Sequence, residues 1–251
     1  IGVVGGHTGH MVVEAVEREG LPHDLLWTDV ETRLALHIVD AEGRQVTVVN
    51  EAGPHFDTNV WRSLVARIFD HAAGASVVVL SGSLPLGVTV EQWIALVESL
   101  CMKGVRVFVD TSGTALESVL PLRPSLVKAN AREFSAVLHT TVDSVKTALA
   151  AAETVVGQSA KNAVVTLGAQ GAIAVTVDGM FCVIPPRVQA LCDVGSGDAL
   201  MAGLAVSAAR GNGFIEGLHL GVAAANTLTL GAGFFAPQDL DALLPQVQLS
   251  R

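Results

Sequence analysis

Residues Ser76–Asp110 read SVVVLSGSLPLGVTVEQWIALVESLCMKGVRVFVD. Ser76–Leu80 is a short, β-branched apolar run bounded by Ser and Gly, the pattern of a strand buried on both faces. Glu91–Lys103 places Trp93, Leu96, Val97 and Leu100 on one face of a helix. Val105–Val109 is a second buried strand, ending at Asp110. A strand, a helix and a strand in this order form a crossover unit, which joins parallel strands and covers one face of their sheet.

The same alternation continues outward. Trp61–Ala72 has helical periodicity ahead of the unit, and Leu126 and Val127 lead a strand into Lys128 behind it. Glu133–His139 and Ser144–Ala152 read as helices. Ala163–Leu167 and Ile173–Val177 read as strands joined by the loop GAQGA, and Ala199–Arg210 and Ile215–Gly231 as Ala-rich helices. Together these predict an α/β protein with a mainly parallel sheet covered on both faces. Before residue 60 the pattern changes. Leu25–Trp27, Leu34–Val39 and Gln45–Asn50 are short strands, the last two joined by DAEGR (Asp40–Arg44), a hairpin signal. They predict a small β lobe around residues 24–50. Ile1–Val4 is a strand that runs straight into GGHTG (Gly5–Gly9), as if the chain began in mid-domain.

The chain has 251 residues, half of them apolar and 16% charged, which suits a packed core and excludes a disordered or fibrous class. A formal charge of −9 argues against a nucleic-acid surface, which needs clustered Lys and Arg. Cys101, Cys182 and Cys192 are an odd count without metal-ligand spacing, as expected of a reduced, cytoplasmic protein. No signal-peptide pattern opens the sequence. The uncharged stretch from His219 is broken by Gly231, Gly233 and Pro237, so no membrane span is expected.

The strongest local signal is DVGSGDALMAGLAV, Asp193–Val206. Gly195, Ser196 and Gly197 form a glycine-rich turn that opens a helix of small residues. Such a turn aims backbone N–H groups, at the positive end of the helix dipole, toward phosphate oxygens. Asp198 then stands where it can take the proton of an attacking hydroxyl. A second reading stays open: Asp198 caps the helix and the glycines only make the turn. The string is neither the Walker loop nor the dinucleotide fingerprint.

Seven strings occur in order from residue 5 to residue 199: GGHTG, ETR (Glu31–Arg33), NEAGP (Asn50–Pro54), SGSLPLGV (Ser81–Val88), KANAREF (Lys128–Phe134), VVTLGAQGA (Val164–Ala172) and DVGSGDA. In this register the sequence resembles the ribokinase-like (phosphofructokinase-B type) carbohydrate kinases, most of all their 1-phosphofructokinase and tagatose-6-phosphate kinase branch. The resemblance implies a three-layer α/β/α fold with a small β lid, ATP and Mg²⁺ as cofactors, and a homodimer formed through that lid. It implies an anion hole at Gly195, Ser196 and Gly197, with Asp198 as catalytic base. Asn130 and Glu133 match the Asn-x-x-Glu positions that help hold Mg²⁺ and phosphate. The same pair could equally be a helix capping box. Lys128, Thr166, Gly168, Gly171, Gly197 and Asn226 match nucleotide-binding positions, although Gly168 and Gly171 would also suit a plain hairpin. Arg33 is implied as the ligand of the phosphate already on the sugar, since a guanidinium matches it bidentately. An edge-strand charge in water is the alternative for Arg33. Ser81, Ser83, Gly5 and Gly6 fall on the sugar side by the same resemblance.

The sequence departs from the branch at His7, where Phe is usual, at Ala35, where Asn is expected, and at Ala129, where Pro is usual. A sugar-binding Asp and a Gly-Gly-Lys-Gly-type string of the family are not found, so the N-terminal part of the domain is expected to be missing. The reaction implied is transfer of the ATP γ-phosphate to a hydroxyl of a phosphorylated ketohexose: fructose 1-phosphate, fructose 6-phosphate or tagatose 6-phosphate. The alternatives are a kinase of the same fold acting on ribose, a nucleoside or a vitamin, and a non-catalytic nucleotide- or sugar-binding relative. Retention of Asp198 together with Asn130 and Glu133 speaks against the last.

Overall fold

GGHTG hides a helix. Gly2–Gly5 forms the first strand, β1, and the chain turns at once into α1 (Gly6–Arg18). In the computed structural model, which describes residues 1–39, 46–158, 160–189, 193–230 and 235–251, the chain divides into two compact units. The expected DAEGR turn, Cys192, Gly231 and Gly233 lie outside the described residues.

The first unit holds Ile1–Ala75 and Leu84–Leu96. After α1 come β2 (Leu25–Thr28), β3 (Ala35–Val39), β4 (Val46–Asn50) and α2 (Thr58–Ala72). β3 and β4 pair antiparallel, from Ala35 opposite Asn50 to Val39 opposite Val46. β2 does not join them in the lobe. It pairs in parallel with β1, Gly2 opposite Leu25 through Gly5 opposite Thr28. The short run Leu25–Trp27 shows strand character but carries no information about its partner, which α1 supplies by returning the chain alongside β1. Asp57 caps α2, its Oδ1 accepting the N–H groups of Asn59 and Val60 at 2.8 Å each.

The second unit holds Ser76–Ser83 and Val97–Arg251. Its strands are β5 (Val77–Ser81), β6 (Arg106–Asp110), β7 (Leu126–Asn130), β8 (Ala163–Thr166), β9 (Ala172–Thr176), β10 (Gly179–Ile184) and β11 (Gln248–Ser250). The helices are α3 (Val90–Met102, entering from the first unit), α4 (Gly113–Val119), α5 (Ala131–Val137), α6 (Val145–Gln158), α7 (Ser196–Ala209), α8 (Phe214–Leu230) and α9 (Pro237–Leu243). The strands lie in one sheet in the order β11-β10-β9-β8-β7-β6-β5. β5 through β8 are parallel, and β9, β10 and β11 continue antiparallel.

Strand residues alternate between two cores, as the period of two requires. Val127, Ala129, Ala163, Val165, Ile173 and Val175 pack with Leu116, Phe134 and Ala148 of α4, α5 and α6. Leu126, Val164, Ala172 and Ala174 point the other way, onto Leu200, Leu204, Leu218 and Val222 of α7 and α8. This unit is therefore three-layered, α/β/α. No helix among the described residues is long and apolar enough to cross a membrane.

α7 and α8 touch backbone to backbone. A Cβ on Gly203 would strike the Cα and N of Gly221, and one on Gly221 would lie 2.5 Å from the Leu200 carbonyl oxygen. At the far end of α7, Arg106 Nη2 donates to the Ala208 carbonyl at 2.6 Å and Nε to that of Ser76 at 3.0 Å. A cation is favoured at a helix C-terminus. Gly221→Ala is expected to lower unfolding free energy in urea by about 1–3 kcal/mol, as overpacking against immovable backbone does. An unchanged midpoint would mean the helices separate at no cost.

Candidate active site

The parallel strands β5, β6 and β7 end side by side. Ser81 closes β5 opposite Asp110 of β6, and Asp110 stands opposite Lys128 of β7. In an open parallel sheet the crevice beyond such carboxyl ends is where ligands bind. Here it is an open cleft lined by Ser81, Gly82 and Ser83 after β5, by Asp110, Thr111 and Ser112 after β6, by Lys128 and Glu133, and by Gly195, Gly197 and Asp198 at the start of α7.

Phe108, Leu126 and Val164 pack on the α7 side of the sheet, so Asp110 and Lys128, two residues on, face α7 as well. Both are nearly buried, with side chains 11% and 8% exposed, and Lys128 Nζ donates to Asp110 Oδ2 at 2.7 Å. The ammonium lies directly beneath the glycine turn, since a Cβ on Gly197 would be 2.7 Å from Lys128 Nζ. Above it, Gly195 is the N-cap of α7 in the left-handed conformation, φ +78°, open chiefly to glycine. No side chain among the described residues caps this helix. Its first N–H groups, the dipole and the Lys128 ammonium thus converge where an anion fits.

Asp198 lies in the first turn of α7, not at its cap, which removes the capping explanation for this residue. Its Oδ1 accepts the Ser81 hydroxyl at 3.3 Å. The capping box at α5 is real: Asn130 Oδ1 accepts the Glu133 N–H at 2.9 Å, and Glu133 Oε2 accepts the Asn130 N–H at 2.7 Å. Burial raises the Asp110 carboxyl above the usual range. The Lys128 ammonium opposes that rise, and the charges of Asp198 and Glu133 add to it.

The fold thus brings together Ser81, Ser83, Lys128, Glu133, Gly195, Gly197 and Asp198 at one cleft, with Ser196 inside the turn. Asn130 is adjacent through its box but is not a wall residue. Thr166 ends β8, and Gly168 opens the short 3-10 turn that follows. A Cβ on Gly171 would strike the Val183 carbonyl, so this glycine has a packing reason of its own. Asn226, on α8, is buried and donates its side-chain amide back to the Val222 carbonyl at 2.9 Å. In the first unit, Gly5 and Gly6 form the β1–α1 junction, and Arg33 lies between β2 and β3, exposed and without an ion pair among the described residues. Sequence reading missed Asp110, Thr111, Ser112 and Gly82 as wall residues. The one signal available was that Asp110 ends a buried strand of a parallel sheet.

The pattern of the pfkB family of carbohydrate kinases matches residues 1–238. The chain belongs to that family. It is 35% identical over 234 residues to the ATP-dependent 6-phosphofructokinase isozyme 2 of Escherichia coli (strain K12), covering 91% of this chain and 74% of that one. It is 26% identical over 250 residues to a 1-phosphofructokinase of Borreliella burgdorferi, covering 99% and 80%. Among solved structures, phosphofructokinase-2 from Escherichia coli in complex with substrates and products superposes with a TM-score of 0.90 at 31% identity, over 97% of this chain and 80% of that one. A ribokinase from Thermotoga maritima, at 18% identity and a TM-score of 0.73 over the same shares, makes the fold of this carbohydrate kinase ribokinase-like.

Asp110→Asn strands the Lys128 ammonium in a nearly dry site. Removing one partner of a buried pair costs about 3–5 kcal/mol, and a loss of that order is expected from urea unfolding at neutral pH. The native Asp110 carboxyl holds its proton more tightly than the unfolded one, so its contribution is present at acid pH and lost as pH rises through the native pKa. The difference between the wild type and the Asn variant should therefore widen as pH falls through the native pKa. A difference constant across pH would show that folding leaves the Asp110 carboxyl unshifted.

Proposed function

We propose that this carbohydrate kinase transfers the γ-phosphate of ATP to a hydroxyl of a fructose phosphate. The observation that carries the reading is the convergence of the uncapped α7 terminus, Lys128 and Asp198 at one cleft. The N–H groups after Gly195, with Lys128, hold the phosphoryl oxygens. Asp198 takes the proton of the sugar hydroxyl as that oxygen bonds to γ-phosphorus. The bond from γ-phosphorus to its bridging oxygen breaks, and the electron pair leaves on ADP. Ser81 orients the Asp198 carboxylate through its hydroxyl. Thr166 and Gly168 lie along the nucleotide, with Asn226 deeper on α8, and Arg33 binds the phosphate already on the sugar.

The donors present suit Mg²⁺. Among the described residues no group of three or more His, Cys, Asp or Glu forms a metal cage, and Mg²⁺ needs none, because it keeps waters and binds through one or two carboxylates and substrate phosphates. The capping box leaves Glu133 Oε1 for the metal shell and Asn130 Nδ2 as a donor to phosphate. When bound, the ion supplies charge neutralisation on the transferring phosphoryl group. The box also corrects the argument against a non-catalytic relative. Asn130 and Glu133 have a folding reason to persist, so that argument rests on Asp198 and the uncapped turn.

One face of the β3–β4 ribbon exposes Leu36, Ile38 and Val49 by 47–59% each, an apolar surface suited to a second copy of the chain. Leu36→Lys with Ile38→Lys should halve the mass seen by light scattering; an unchanged mass would place any dimer contact elsewhere. For the reaction itself, ADP release should be measured with fructose 6-phosphate and fructose 1-phosphate. Asp198→Asn is expected to lower kcat by about 10²–10⁴-fold while ATP affinity stays nearly the same. Turnover within a few-fold of wild type would mean that another group is the base.

A further inference from the structure

The segment that presents Arg33 is pinned on both sides by carboxylates spent on main-chain N–H groups. Upstream, Glu31 Oε1 accepts the Thr8 N–H, in the first turn of α1, at 2.5 Å. The carboxylate lies over Gly6, where any Cβ would strike it, and Gly6 is itself left-handed at φ +65°. Beside this contact, the Thr32 hydroxyl accepts the Gly5 N–H and the Thr32 N–H donates to the Gly5 carbonyl, each at 2.9 Å. Downstream, Glu51 Oε2 accepts the Leu34 N–H at 2.8 Å, and the Glu51 N–H returns to the Leu34 carbonyl at 3.1 Å. Residues on either side of Arg33 are thereby tied, one to the β1–α1 junction and the other to the end of β4.

Glu31 and Glu51 could each have paired with Arg33, and among the described residues neither does so. Hydrogen bonding to backbone favours the ionised carboxylate, and the pKa of Glu31 is lowered by its bonds to Thr8. Arg33 instead lies along backbone: a Cβ on Gly53 would be 3.7 Å from Arg33 Cδ and 4.0 Å from Nη1. Among the described residues no acceptor takes the donors of its fork, which suit an oxyanion from outside the protein.

We infer that Glu31 and Glu51 are positioning residues for phosphosugar recognition, a two-sided clamp that fixes the backbone of Arg33 while neither carboxylate takes up its charge. This rests on the reading of Arg33 as the ligand of the sugar's phosphate. Preorganisation of this kind acts on binding, because a guanidinium already held in place loses little freedom when phosphate arrives.

The test compares Glu31→Ala, Glu51→Ala, Glu31→Gln, Glu51→Gln and Arg33→Ala in the full chain, with fructose 6-phosphate and fructose 1-phosphate as acceptors. Each Ala variant of the clamp is expected to raise KM for the phosphosugar about five- to ten-fold, the equilibrium equivalent of one lost cap-strength hydrogen bond. kcat and KM for ATP should stay within about two-fold, a change of under 1 kcal/mol. The Gln variants should restore KM, because an amide oxygen still accepts the Thr8 or Leu34 N–H. Arg33→Ala should raise the same KM further and leave that of ATP alone. If Arg33→Ala acts and the clamp Ala variants do not, the clamp is wrong and the role of Arg33 stands. If Arg33→Ala itself has no effect, both fall. Gln variants as impaired as Ala, or parallel losses in kcat and both KM values with a lower Tm, would also overturn the clamp.

Discussion

The buried contact between Lys128 and Asp110 is where the sheet, the glycine turn and the chemistry meet. Its two residues are register neighbours on adjacent parallel strands, and both face α7. An ammonium without a partner at that depth would cost several kcal/mol, and an unpaired carboxylate would take up a proton. Each makes the other tolerable. Because the Lys128 amine sits under Gly197, the pair also fixes how near α7 may come to the sheet and supplies the positive charge beneath its N-terminus.

The other end of that constraint is mechanical. α7 is held from behind by α8 at a separation that only Gly203 and Gly221 permit, and at its last turn by Arg106. The helix therefore has little freedom to slide or tilt, and Asp198 in its first turn is placed to within what backbone contact allows. A carboxylate carried on a rigid helix, with buried neighbours on both sides, suits the proposed phosphoryl transfer, which depends on alignment more than on covalent chemistry.

The strands of the three-layered unit were legible because a strand buried on both faces is an unbroken apolar run, and Val77–Leu80 and Val105–Val109 have few other readings. Asp198 and the glycines before it were legible because turn and helix are continuous in sequence. Asp110 was not, since its partner is 18 residues away and only the register of β6 against β7 brings them together. α1 was hidden by the glycines at its start, and the pairing of β2 with β1 is decided by where that helix ends. The two readings of Asn130 and Glu133, cap and ligand, could not be separated from the spacing because three residues apart satisfies both. The structure establishes the cap and leaves one atom of each residue over.

That doubled use has a bearing on how relatives are sorted into active and inactive. A lineage that abandoned phosphoryl transfer would still be under selection to keep an Asn and a Glu three apart, because α5 frays without them. Their presence in a genome is thus a poor marker of turnover. The turn at Gly195–Asp198 is the opposite case. With no side chain among the described residues capping α7 and an N-cap glycine in the left-handed region, a substitution that seals the helix end, such as Gly195→Asn, would relieve the unsatisfied N–H groups. Drift toward a sealed terminus is the mark by which a retired member of this lineage would give itself away.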